Sequence, residues 1–252
     1  MNSTWISFLN SILKMPGAKI NREAYLRKTF SHLSDSEIRR CISGSPAKVV
    51  SQTEIENAAS NAISSHTAKA TAVSAISGIP GGVAMLVAIP ADMANYYFHV
   101  VAVGQKLGYL YGFPDMIDDS GRLTSDGEIM LTAFIGVMNK VEVAKELVKK
   151  IAVEVAKRIS EETAIRVAGN ILSKQFIAQA IEVISTKLGM QIAAKGVGRG
   201  VYKVIPLLSG VICGTITYAT FKPQAKRLHE VLKNNQIFEE SDQEAEKILL
   251  PR

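Results

Sequence analysis

Residues 70–91 read ATAVSAISGIPGGVAMLVAIPA, 22 consecutive residues without a charge, bounded by Lys69 and Asp92. That length equals one transmembrane span. Yet Gly78, Pro80, Gly81 and Gly82 occupy its middle, where proline removes a backbone donor and clustered glycine favours turns. The stretch therefore predicts two helical arms joined by a break, a hairpin or re-entrant pair rather than a straight span. Behind the first arm, Ser51-Gln52-Thr53-Glu54 reads as a capping box. It opens a long helix towards Ala75, in which Ala58, Ala59, Ala62, Ala68 and Ala72 leave room for a close neighbour. The second arm, Val83 to Gly112, is interrupted at Pro90. With Pro90 at the first helical position, Asp92 stands at the third, near the positive end of the helix dipole.

A second uncharged segment, 18 residues from Val204 to Phe221, lies between Lys203 and Lys222. It contains Pro206 and the pair Gly210 and Gly214, four apart, a spacing that lines one helix face and admits a second backbone. The rest of the chain reads as helix as well. Trp5, Phe8, Leu9, Ile12 and Leu13 fall at helical spacing before Pro16-Gly17, in a helix that docks on its own core or lies at a membrane interface. Two short helices follow between Asn21 and Gly44, the second opened by a capping box at Ser34-Asp35-Ser36-Glu37, and Ser45-Pro46 breaks the chain.

Ser125-Asp126-Gly127-Glu128 reads as a third capping box, before a hydrophobic helix ending near Asn139. From Val141 to Arg166, Val143, Leu147, Ile151, Val155 and Ile159 form one stripe, with Glu146/Lys150, Glu154/Arg158 and Glu162/Arg166 paired four apart outside it. An apolar helix from Ile171 to Ala194 then runs into a glycine-spaced linker, Gly196 to Gly200. No long stretch alternates apolar and polar residues as a sheet requires. The fold class expected is all-α, a multi-helix bundle around two apolar glycine-rich segments. Its parts are N-terminal amphipathic helices over 1–48, a helical domain over 49–235 and an acidic tail over 236–252.

Apolar residues make up 47% of the 252 and charged residues 21%. A mean hydropathy of +0.14 places the chain on the border between soluble and membrane proteins. The net charge of +6 suits an anionic partner such as phospholipid head groups. It is spread along the chain without the aromatic interleaving or zinc-finger spacing of a nucleic-acid binder, so no nucleic-acid partner is expected. Cys41 and Cys213 form neither a metal pair nor a disulfide framework. The start, MNSTWISFLNSILKMPG, lacks the basic region and cleavage site of a secretory signal. The expectation is a cytoplasmic protein held at, or partly inserted into, the inner membrane.

Chemistry is sparse. His32, His66, His99 and His229 show no HExxH, HxH or CxxC arrangement, so no metal or cofactor is expected. Ser77-Gly78 and Ser209-Gly210 lack the first glycine of a nucleophile elbow. The glycine run at 196–200 follows a helix and lacks the Lys-Ser/Thr ending of a phosphate loop. Asp92 and His99, seven apart on one helix, share a face. That makes them a proton-handling pair in a dry setting, or a helix-start carboxylate beside a core histidine. The expectation is no catalytic residue.

Gly78-Ile79-Pro80-Gly81-Gly82, then Ile89-Pro90-Ala91-Asp92, then Tyr109-Leu110-Tyr111-Gly112-Phe113, and late in the chain Pro206 with Gly210 and Gly214, follow one another in an order that resembles the EcsC family. The resemblance covers residues 50–232 and departs from the family's pattern at Thr217-Tyr218, where an Asn commonly follows the second glycine. It implies a helical, membrane-linked protein and supplies no reaction. The leading expectation is a non-enzymatic, membrane-associated module that binds or inserts into a bilayer through two apolar hairpin segments, with Gly78, Pro80, Gly81, Gly82, Pro90, Asp92, Pro206, Gly210 and Gly214 as their membrane or packing residues. The alternatives are a pore-forming effector stored in soluble form and a soluble lipid-binding protein. Possible protein partners are a transporter component or an immunity protein.

Overall fold

The computed structural model describes residues 3–77, 91–160, 173–198 and 206–235. Its helices are α1 (Ser3–Leu13), α2 (Arg22–Thr29), α3 (Asp35–Ser43), α4 (Gln52–Ser77), α5 (Ala91–Leu110), α6 (Ser125–Met138), α7 (Glu142–Ser160), α8 (Lys174–Gly198) and α9 (Pro206–Asn234). A single 3-10 turn, Pro46–Lys48, stands where Ser45-Pro46 was expected to break the chain. The extended pairing among the described residues amounts to one isolated bridge, Ile117 with Leu123. The all-α multi-helix expectation holds.

Helix α5 is the middle of the bundle. Val100, Val101, Ala102, Val103, Gln105, Leu107, Tyr109 and Leu110 are all buried. α4 and α9 pack along it and along each other, and α1, α2 and α6 close its remaining sides. Glu56, early in α4, pairs with Lys233, in the last turn of α9, at 2.9 Å, so these two long helices run antiparallel. Tyr96 near the start of α5 meets α9 at Phe221 and Gln224, and Tyr111 just past its end hydrogen-bonds His229 at 2.7 Å. α5 and α9 therefore run in the same direction.

Trp5, Phe8, Leu9, Ile12 and Leu13 of α1 are all buried, and Ile6 is partly so. Its docking on the core, rather than at an interface, is fixed by Trp5 Nε1, which donates to Thr132 Oγ1 at 3.0 Å. Gln105 ties the following turn to α5: its Oε1 accepts from Ile20 N at 3.0 Å and its Nε2 donates to Ala18 O at 2.7 Å. Arg22 is buried and spends its guanidinium on the carbonyls of Cys41, Ile42, Gly44 and Phe113, joining the ends of α3 and α5. One contiguous core takes in residues from Trp5 to Leu232.

The capping boxes at Ser34 and Ser51 form as read. The third does not: Thr124 is the cap of α6, its Oγ1 accepting from Gly127 N at 2.8 Å. The cap moves back by one because Thr124 N also donates to Met116 O at 3.0 Å, which fixes that residue at the mouth of the loop. Two other boundaries shift. Gly196 and Gly198, read as linker, are the last residues of α8, and α9 continues through Pro223 to Asn234. On α7, Leu147, Ile151 and Val155 are buried with Val143 packed against them, and Glu146 pairs with Lys150 at 3.4 Å. The pair Glu162/Arg166 and the acidic tail lie outside the described residues, as do the side chains of Ile159 and Arg158.

A Cβ placed on Gly127 meets Met116 O at 2.1 Å, so the start of α6 tolerates no side chain. Gly127→Ala is expected to destabilise the fold by about 1–3 kcal/mol, the usual cost of overpacking, read as a lowered midpoint in chemical denaturation. Gly104→Ala, whose Cβ meets Leu131 at an ordinary 3.8 Å, serves as the tolerated control.

Candidate functional site

Gly78, Pro80, Gly81, Gly82 and Pro90 lie outside the described residues. Asp92 is the second residue of α5, and its side chain is likewise outside them. Pro206 is the first residue of α9, where its fixed φ and missing N–H suit a helix start. Gly210 and Gly214 follow in the first turns of α9, and Gly214 is buried. Of the residues singled out from sequence, the described ones thus gather at one end of the bundle, where α5 and α9 begin and, by the antiparallel packing, α4 finishes.

That end is apolar. Lys69 is the last charge on α4, and α9 carries none before Lys222. Tyr96 sits five residues into α5 and meets α9 at Phe221. α9 thus runs about 22 Å ahead of that contact and α5 only about 8 Å, at roughly 1.5 Å per residue. On the stretch of α9 beside the first turns of α5, Ile216 and Tyr218 are 56% and 49% exposed. Lys222 Nζ donates to the Tyr218 hydroxyl at 3.1 Å and stands 5.3 Å over its ring. Among the described residues no helix is long and apolar enough to cross a membrane.

Below this end a polar cluster interrupts the α4/α5 seam. His66 Nδ1 faces His99 Nδ1 at 3.0 Å, with both side chains 95% removed from solvent at 5% exposure. Lys106 Nζ lies 3.0 Å from His66 Nε2 and 5.5 Å over the Tyr25 ring of α2. With Lys106 protonated, its ammonium donates to His66 Nε2. His66 then carries its own proton on Nδ1 and donates it to His99 Nδ1. The order of the chain fixes the tautomer of both rings.

Both histidines are held neutral. Burial, reinforced by the charges of Lys106, His99 and Lys69, lowers His66 from 6.5 to about 3. Burial, then Lys69 and Lys106, lowers His99 to about 4. Lys106 is itself pushed down, by burial first and then by Lys69 and Lys28. Further along the seam Thr71 Oγ1 and Asn95 Nδ2 are buried without a hydrogen-bond partner among the described residues. Asn95 is one helical turn before His99, and Thr71 is five residues past His66 on the antiparallel partner. The cluster can hold or pass a proton and attract an anion. Among the described residues no carboxylate or nucleophile is in contact with the rings.

The sequence pattern pairs His99 with Asp92 along one helix, whereas His99 meets a residue 33 positions earlier on another. The signal available was the stripe on α4. Ile55, Ala59, Ala62, Ile63, Thr67 and Ala70 are its buried residues, and His66 falls in register with them. A cleft of about 650 Å³ lies elsewhere, between the end of α3, the loop after α5 and the start of α6. The guanidinium in its wall, Arg22, is already spent on carbonyls. Among the described residues no group of three His, Cys, Asp or Glu is placed to hold a metal ion. No protein-family model matches the chain, and neither a curated protein nor a solved structure matches it.

Because both histidines take up protons far more readily unfolded than folded, the unfolded state binds the additional protons as pH falls below 6.5. Stability is expected to decline from about pH 6.5 towards pH 4, by up to about 1.4 kcal/mol per pH unit for each histidine. Denaturation midpoints across that range should show it. The double variant His66→Gln/His99→Gln should flatten the slope.

Proposed function

We propose that this protein is a non-enzymatic, membrane-associated module of the EcsC-like type that seats the apolar end of α4 and α9 in one leaflet of an anionic bilayer. The carrying observation is the stretch of α9 from Pro206 to Phe221, uncharged until Lys222, with Ile216 and Tyr218 turned to solvent. Its length, about 22 Å, falls short of the roughly 30 Å hydrocarbon core, so the reading is insertion without crossing. Tyr218 beside Lys222 at the base of this stretch has the pairing of an interfacial anchor, the ring at head-group depth and the ammonium towards phosphate. Lys69, the last charge of α4, adds a second cation at the base of the uncharged turns. The resemblance to the EcsC family supports the same reading.

Flotation with vesicles tests it. The protein is expected to rise with anionic vesicles and less with zwitterionic ones. Ile216→Asp/Tyr218→Asp should lower partitioning about 100-fold, since two apolar side chains contribute about 3 kcal/mol or more when buried. Wild-type protein left in the bottom fraction with both vesicle types overturns the proposal. Release of an entrapped dye during binding would replace the module by the permeabilising reading.

A further inference from the structure

The basic cluster on the α4/α5 seam goes beyond membrane seating and does not depend on it. Three elements bring cations to one place: α4 supplies His66 and, three residues on along the same face, Lys69; α5 supplies His99 and Lys106; and α2 sets the ring of Tyr25 beneath Lys106 and carries Lys28 three residues further on. The charges that His66, His99 and Lys106 feel are those of one another, Lys69 and Lys28, all basic. α9, which also packs on α4 and α5, directs Lys222 to Tyr218 and Arg227 to the carbonyl of Met138, away from the cluster. Among the described residues no salt bridge reaches Lys28, Lys69 or Lys106, although Arg27, next to Lys28, pairs with both Glu23 and Asp35.

Three uncompensated ammonium groups beside two buried, neutral rings are an arrangement that a missing anion completes. Unpaired polar groups continue the same seam, with Asn95 Nδ2, a donor, and Thr71 Oγ1 both buried and unpartnered among the described residues. A metal cation is disfavoured by the lysines. A carboxylate offers two coplanar oxygens and one charge, and a phosphodiester two free oxygens and one charge. A phosphate monoester offers three terminal oxygens and close to two charges, which matches donors converging from α2, α4 and α5. Lysine ammonium groups serve such a ligand as point charges without demanding a planar partner.

We propose that Lys28, Lys69 and Lys106 form a binding site for a phosphate monoester, and that His66 takes up a proton on Nε2 when it is filled, as an imidazolium whose Nδ1–H is shared with His99. The dianion draws Lys106 away from His66 Nε2 and offsets the lysine repulsion that adds to burial in keeping the rings neutral. The bond from His66 Nδ1–H to His99 Nδ1, 3.0 Å between the nitrogens, becomes charge-assisted once His66 is an imidazolium. Binding and proton uptake are therefore linked: each favours the other by the same factor. The monoester is either a soluble metabolite or the head group of a lipid bearing a terminal phosphate.

Calorimetry with inorganic phosphate, glycerol phosphate and sulfate, without vesicles, tests the soluble arm. Saturable binding is expected. Sulfate, which keeps its two charges, should bind more tightly as pH falls from about 8 to about 6, where histidine protonation becomes accessible. Lys28→Gln and Lys69→Gln, both at exposed positions where folding is safe, should each weaken binding about tenfold. His66→Gln/His99→Gln should retain binding and lose its pH dependence, with helical circular dichroism confirming the fold. The lipid arm compares flotation on vesicles containing phosphatidic acid with those containing phosphatidylglycerol. A preference for the former that vanishes in the lysine variants assigns the ligand to a lipid, even if the soluble anions fail. The inference is overturned by absence of binding in both arms, or by binding that the lysine variants leave unchanged. Flotation driven by Ile216 and Tyr218 alone leaves the membrane reading standing and removes this one. Soluble anion binding without flotation does the reverse.

Discussion

Everything in this bundle is arranged around the burial of α5. A helix enclosed on nearly all sides gains the transfer of Val100, Val101, Val103, Leu107 and Leu110 from water, but it must also satisfy each polar group that it carries inward. Gln105 does so by taking both backbone groups of the turn after α1. Tyr109 accepts from the N–H of Met116 across the following loop. His99 has no backbone partner to take and turns to His66 instead. The N-terminal turn, the loop before α6 and the α4/α5 seam are thus each positioned by one polar side chain of the same helix.

That arrangement explains which parts of the fold were legible in the sequence. Local chemistry was: the boxes at Ser34 and Ser51 need only residues three apart, and the stripe of α1 needs only its own period. Where a longer contact competes, the local reading slips. Ser125 has everything that a cap needs, yet Thr124 takes the position because the loop backbone at Met116 holds it there. Gly196 and Gly198 read as linker by composition, but α8 extends over them. Pro223 costs α9 one backbone donor and not its continuity, since the helix is held on both sides of it, with Thr217, Phe221, Ala225 and Leu228 all buried.

The candidate site divides in the same way. Its apolar end was visible as two uncharged runs with helix breaks, because absence of charge is a property of a segment. The basic cluster was not, because it is a property of three segments together. Lys28, His66 and Lys106 are far apart in sequence, and each taken alone is an ordinary helical residue. Periodicity puts His66 on the inner face of α4, but what it meets there depends on the register of the hairpin, which no single helix specifies.

The bond between Trp5 and Thr132 spans 127 positions, and that separation has a consequence during synthesis. The face of α1 that carries Trp5, Leu9 and Ile12 is made well before α5, α6 and α8, against which it finally rests. At ribosomal speeds the interval before Thr132 exists is on the order of ten seconds. Throughout it a tryptophan-bearing greasy strip emerges with no place to go. The apolar face of α1 is therefore covered only once α5, α6 and α8 have followed it off the ribosome.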